Sequence, residues 1–211
     1  MKISVPRSSA GKLILWSRNV LFTAAAGLLG YCAFVFADAW LYQRQANQLF
    51  DRAHLQVTGI QSPGAESTNG LLGRMEIPRL GVSIVVAEGI AEVTLRRAGG
   101  HIPGTSFPGQ GGNVGIAGHR DTLFRPLRNV RQDDLITVTT LAGEYRYRVT
   151  STEIVSTSDV RVLESDGHES LTLVTCYPFY FVGPAPDRFI VRAKRIPEIS
   201  AAVQRKSGVQ L

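Results

Sequence analysis

Leu171-Thr-Leu-Val-Thr-Cys-Tyr-Pro178 is an apolar, β-branched run that leads straight into a cysteine and is stopped by a proline two residues later. Such a run reads as a strand, and its cysteine as a strand-end residue at the rim of a sheet or barrel. A rigid strand delivers the sulfur to a fixed place, while the adjoining loop is free to open over a groove. Two other segments are built alike. Gly111-Gly-Asn-Val-Gly-Ile-Ala-Gly-His-Arg-Asp121 is a small-residue strand ending at His119, in which the glycines and Ala117 allow close backbone approach. In Pro186-Asp-Arg-Phe-Ile-Val-Arg192, Arg188 opens a strand that carries Arg192 on the same face. The short loop between Cys176 and Arg188 lets adjacent antiparallel strands bring both to one rim.

Outward from these segments, short β-branched runs are broken by Gly and Pro from Leu71 onward. Strands are expected over 72–77, 82–87, 113–117, 135–141, 145–155, 171–175 and 188–194. Period-two alternation is clear in Ile136, Val138, Thr140 and in Tyr145, Tyr147, Val149, and Leu141-Ala-Gly-Glu144 is a good hairpin turn. Only 92–97, 122–129 and 158–163 look helical. A mainly β domain follows, either a closed barrel or a sandwich.

The N-terminal part differs in kind. Residues 19–37 hold no charge and form an apolar run long enough, at about 1.5 Å per residue, to cross a bilayer core. Lys2, Arg7, Lys12 and Arg18 precede it and Asp38 follows, so the positive-inside bias keeps the N-terminus cytoplasmic and the bulk of the chain outside. Trp16, Trp40 and Tyr42 sit where interfacial aromatics belong. A cleaved signal peptide is the competing reading, because FVFADA at 34–39 offers small residues of the cleavage-site type. Against it, the apolar run exceeds a signal core, and the polar YQRQANQLFDRAHL that follows reads as a helical stalk. The expected organisation is a basic cytoplasmic tail (1–18), a membrane anchor (19–41), a stalk and Gly/Ser/Pro linker (42–70), the β domain (71–197) and a tail (198–211). The protein is then a single-pass protein of the cell membrane, with the lipid bilayer as one partner and its β domain extracytoplasmic.

The net charge of +6 raises the question of nucleic acid. Residues 1–59 hold six Lys/Arg and two Asp/Glu, a balance of +4, which leaves +2 for the remainder. The charge therefore serves membrane topology, and no nucleic-acid partner is expected. Of the two cysteines, Cys32 lies in the membrane run and Cys176 outside it, which excludes a disulfide within one chain. An exported chain that keeps a free thiol invites a test of that thiol as a reactive group, against the plainer reading of a buried, hydrophobe-like cysteine.

The three strand-end residues suit acyl transfer: a thiol attacks an amide, a histidine handles the protons, and a cation stabilises the oxyanion. Their order and flanks carry more than the residues alone. GNVGIAGHRDTLFRPL, TLVTCYPF and DRFIVRA, together with Met75-Glu-Ile-Pro-Arg-Leu-Gly81 and His101-Ile-Pro-Gly-Thr105, resemble the sortase family over residues 73 to 196. Cys-Tyr-Pro-Phe with Gly183-Pro-Ala-Pro-Asp-Arg188 looks most like class D. The resemblance implies an eight-stranded sortase β-barrel with short helices. It also implies cysteine transpeptidase (thiol peptidase, hydrolase) chemistry, in which Cys176 is the nucleophile, His119 the acid/base and Arg188 the electrostatic helper. Protein substrates would carry a C-terminal Leu-Pro-X-Thr-Gly-like sorting signal, cleaved after Thr through a thioacyl enzyme. The acceptor would be an amine of a cell-wall precursor or a protein subunit. Sortases look like enzymes in which few molecules hold the ionic thiolate–imidazolium pair, which implies slow turnover.

Thr175, just before the sulfur, matches a position whose backbone or hydroxyl helps place substrate, and Ala117 is grouped with it as a substrate-binding residue. His101 matches an architectural position. His54 reads as a stalk residue, His168 as a solvated loop residue, Asp121 as a helix N-cap, and Arg120 and Arg192 as surface or groove charges. The reading requires no cofactor and no metal. Glu153, Glu164, Asp166 and Glu169 have oxygens for calcium but match no dedicated loop, so calcium stays open. Two rivals remain in view. L,D-transpeptidases usually set their cysteine in a Ser/Gly-rich turn, unlike Thr-Leu-Val-Thr. A non-enzymatic, membrane-tethered β-barrel that binds peptides would need none of the three residues.

Overall fold

The computed structural model describes residues 7–57, 70–181 and 183–197. Arg7–Val57 is one continuous helix, α1. Its segment Lys12–Gln48 is long and apolar enough to cross a membrane by length and composition. Within the chain this apolar surface is uncovered: Leu21 is 72% exposed and Phe36 72%. So large an apolar surface needs a non-aqueous cover. The expected stalk is helical through Val57, whereas residues 58–69 of the linker and the tail from 198 lie outside the described residues. The chain divides into two units, Met1–Tyr42 and Gln43–Leu211. In the second, the Gln43 side chain accepts from the Val85 amide at 2.9 Å, and Arg74 Nε donates to Asn47 Oδ1 at 2.9 Å.

Eight strands form the rest: Leu71–Ile77 (β1), Val82–Glu88 (β2), Gly99–His101 (β3), Asn113–Ala117 (β4), Leu135–Thr140 (β5), Gly143–Ser156 (β6), Ser170–Tyr177 (β7) and Asp187–Arg195 (β8). They close in the order β1-β2-β3-β4-β7-β8-β6-β5, so the barrel alternative holds and the sandwich does not. The pairs β2·β3 and β4·β7 are parallel. The first is bridged by the short helix α2 (Glu92–Leu95), the second by the long excursion through β5 and β6. Alternate residues point inward, among them Met75, Ile84, Val114, Ile116, Val138, Tyr147, Leu171, Leu173 and Val191, all buried in one core cluster. Each such burial contributes roughly 1.5–3 kcal/mol. Side chains fill the barrel interior, which leaves its outer wall and rims for chemistry.

Strand β3 has no counterpart among the expected elements. Gly99-Gly-His101 lacks the β-branched residues that mark a strand, and it exists because β2 and β4 pair with it from either side. Over 122–129 the helix is a 3₁₀ turn confined to Arg125–Asn129, with Pro126 in its first turn. Proline presets that start, which makes Phe124 the N-cap. Asp121 is therefore not an N-cap. Its carboxylate instead accepts from Arg120 Nε at 3.2 Å.

Candidate active site

Strand alternation decides what faces what. Along β7, Leu171 and Leu173 join the core and Thr175 is 2% exposed, so Cys176 is on the opposite, outer face. Along β8, Val191 and Ala193 point inward, which turns Arg188 outward. The two strands pair in register with Cys176 directly opposite Arg188. Residues so paired carry side chains on one face with Cβ atoms about 4.5–5.5 Å apart. Arg188 Nη1 donates to the carbonyls of Asp187 at 3.0 Å and Ala185 at 3.4 Å, so the guanidinium is held beside the sulfur's strand end.

His119 arrives from the other side of β7. The parallel register pairs Ala117 with Val174, and two residues later the chain reaches His119 at the end where Cys176 lies. Three contacts fix it there. The Gly118 amide donates to Val174 O at 3.1 Å, and Thr175 Oγ1 donates to Gly118 O at 2.7 Å. The Phe124 amide donates to His119 O at 3.0 Å. A Cβ on Gly118 would meet the Phe124 ring at 2.7 Å, so only glycine lets the chain lie on that buried ring. The imidazole is 33% exposed, and its Nε2 lies 3.7 Å from Glu92 Oε1 on α2. Exposed pairs of this kind are worth little for stability.

An open pocket of about 430 Å³ is lined by Arg120, Arg125, Phe179, Tyr180 and Phe181, from the segments that follow His119 and Cys176 in the chain, while none of His119, Cys176 and Arg188 lines it. The strand pairing offers a thiol, an imidazole and a guanidinium at one strand end.

Comparison with known proteins bears on the same residues. The family model described as Sortase domain matches residues 75–196, more than half of the chain. The chain belongs to the sortase family. It is 34% identical to Sortase D of Bacillus subtilis over 125 residues, 59% of this chain and 63% of that protein. It is 31% identical to Sortase SrtE1 of Streptomyces coelicolor over 176 residues, 73% of this chain and 49% of that protein. The chain thus spans less than two thirds of the length of these relatives. Among solved structures, the Sortase D5 transpeptidase of Clostridium perfringens superposes with a TM-score of 0.63 at 27% identity, covering 74% of this chain and 99% of that one. The class D resemblance drawn from the motifs agrees with two of these three.

The remaining sequence-derived residues sort themselves on this sortase barrel. Ala117 shares the outer wall with Val174 and Cys176. The Thr175 side chain turns inward: its hydroxyl is buried and donates to Gly118 O, which ties the segment of His119 to β7. His101 is 1% exposed, stacks on Phe107 at 4.6 Å, and lies 2.8 Å from Glu88 Oε2 and 3.1 Å from Ser106 O. His168 is exposed, and the side chain of His54 lies outside the described part. Arg192 pairs with Glu153 at 2.8 Å on the surface, as expected of a solvated charge.

Of the two expectations for Arg120, a surface or a groove charge, the groove holds: it lines the pocket and is only 8% exposed. Its burial depends on loop carbonyls some sixty positions away, which no local pattern reveals. Glu92 also went unforeseen, since one glutamate on a short helix carries no signal. Glu169 is engaged by Tyr147 Oη at 3.0 Å and Glu153 by Arg192, and among the described residues no three His, Cys, Asp or Glu side chains converge as a metal site.

Proposed function

We propose that this chain is a membrane-anchored sortase that joins proteins covalently to an amine at the cell surface. The observation that carries the reading is the β7·β8 register, which sets Cys176 against Arg188, with the parallel β4·β7 pair leading His119 to the same end. The Cys176 thiolate attacks the carbonyl carbon after Thr in a Leu-Pro-X-Thr-Gly-like signal. The oxyanion that forms is stabilised by Arg188. His119 gives its proton to the departing amine, leaving a thioester on Cys176. An acceptor amine then attacks the thioester carbonyl, loses a proton to His119 and expels the thiolate. Water in the same role gives hydrolysis, the cysteine peptidase activity.

The anchor is assigned to 19–41, with a basic cytoplasmic tail before it and the catalytic barrel, 71–197, outside the membrane beyond a stalk and linker. Substrates and acceptors tethered to the same surface would meet the enzyme in two dimensions, which raises their effective concentration. The acceptor is a cell-wall precursor or a protein subunit.

The direct assay incubates the protein with peptides carrying Leu-Pro-X-Thr-Gly or Leu-Pro-X-Thr-Ala and an added amine, with products weighed by mass spectrometry. Cleavage after Thr and an amine-joined product are expected, and both vanish in Cys176→Ala. Turnover that survives Cys176→Ala sinks the mechanism.

A further inference from the structure

Arg120 is adjacent to His119 in sequence yet is held by a distant loop. Its Nη2 donates to the carbonyls of Phe181 at 2.7 Å and Gly183 at 3.0 Å, and the guanidinium lies over the Phe181 ring, 5.9 Å from its centroid. Nε donates to Asp121. Nη1 is buried with no hydrogen-bond partner. A guanidinium taken out of water needs acceptors around it, and here the backbone acceptors come from the loop that joins Cys176 to Arg188. Nη1 adds no hydrogen bond to this contact, so the two loop carbonyls and the Phe181 ring are what hold the guanidinium against the loop. Across the same gap, Arg128 Nη1 also donates to Tyr180 Oη at 2.9 Å, on the exposed side.

We propose that Arg120 is a positioning residue for acyl transfer: it clamps the β7–β8 loop onto the segment that carries His119, so that imidazole, sulfur and Arg188 keep one mutual geometry. The proposal rests on the transpeptidase reading above and adds to it a residue that touches neither sulfur nor substrate. His119 is fixed to β7 through Gly118 and Thr175 and to its own following turn by the Phe124 amide, and Arg120 adds the tie from that segment to the β7–β8 loop. Without the clamp the loop after Cys176 loses two hydrogen bonds to the rest of the barrel. The imidazole's distance to the thiol then spreads, and a rate set by near-attack geometry falls steeply with such spread.

The test uses the full chain in detergent micelles with Arg120→Met, which keeps the stem packed on Phe181 and removes every donor. Amide hydrogen exchange over 178–186 is expected to rise about tenfold with strand protection kept, as a locally opened segment behaves. The kcat for peptide cleavage is expected to fall about tenfold with KM moved less than about threefold, the pattern of lost transition-state geometry. Arg120→Lys, which keeps one donating group, recovers part of both and also serves if Arg120→Met does not fold. Unchanged loop exchange in Arg120→Met, or in Arg120→Lys should it be the variant that folds, overturns the clamp; so does a fall in kcat with no change in exchange. Should the wild type itself fail to cleave, the transfer reading falls, while the exchange comparison still decides the clamp.

Discussion

Arg188 and Thr175 sit one strand position apart in their relation to Cys176, and the barrel gives them opposite tasks. Arg188 faces outward beside the sulfur, where it would meet a developing oxyanion. Replacing it with Ala should lower kcat for peptide cleavage by about 10²–10³, the usual cost of one oxyanion donor, and Lys, which keeps charge but not the fork, should lose less. The melting temperature should barely move, because the guanidinium is only half-buried. Thr175 faces inward and ties Gly118, hence His119, to β7. Thr175→Val should cost about 1–3 kcal/mol in urea unfolding, since it leaves the Gly118 carbonyl short of a partner, and Thr175→Ser should restore most of it. At this scale the residue types and their order are legible in the sequence itself. The side each one faces is not: alternation says that neighbours oppose each other, and only the core packing of Leu171 and Leu173 says which of them points in.

Among the elements, the turn after β1 and the turn before β5 are joined by one ion pair. Arg79 Nε and Nη2 donate to the two carboxylate oxygens of Asp134, and the Arg131 amide donates to Asp134 Oδ2 at 2.8 Å. The Arg79 hydrogen bond above all holds the Asp134 carboxyl below the ordinary carboxylate range. A lowered folded value means that the unfolded chain binds the proton more readily. The stabilisation is thus complete above the ordinary Asp value, about 3.9, and fades as pH falls through the folded one. Asp134→Asn should therefore lower the unfolding midpoint at pH 7, and its gap from wild type should narrow below about pH 4 in a thermal melt series. Strands with strong alternation, such as β5 and β6, are legible within a residue or two at each end. Strand β3 and the start of the turn Arg125–Asn129 are not, because Gly99-Gly-His101 owes its pairing to neighbours and the turn owes its start to a single proline.

On the scale of the whole molecule, an uncovered apolar helix and a filled β-barrel belong to one chain, and each carries one cysteine. Intact cells treated with a membrane-impermeant maleimide should be labelled at Cys176, while Cys32 reacts only after detergent is added. Labelling of Cys176 only after permeabilisation would place the barrel on the cytoplasmic side and overturn the topology. Acyl transfer by this barrel requires the sulfur of Cys176 to carry the acyl group. Acid quenching of the full chain during turnover of a Leu-Pro-X-Thr-Gly peptide, followed by peptide-mapping mass spectrometry, should find the fragment ending in Thr joined to Cys176 as a hydroxylamine-labile thioester. Steady cleavage with Cys176 unmodified at every quench time, or the fragment joined to another residue, would contradict it.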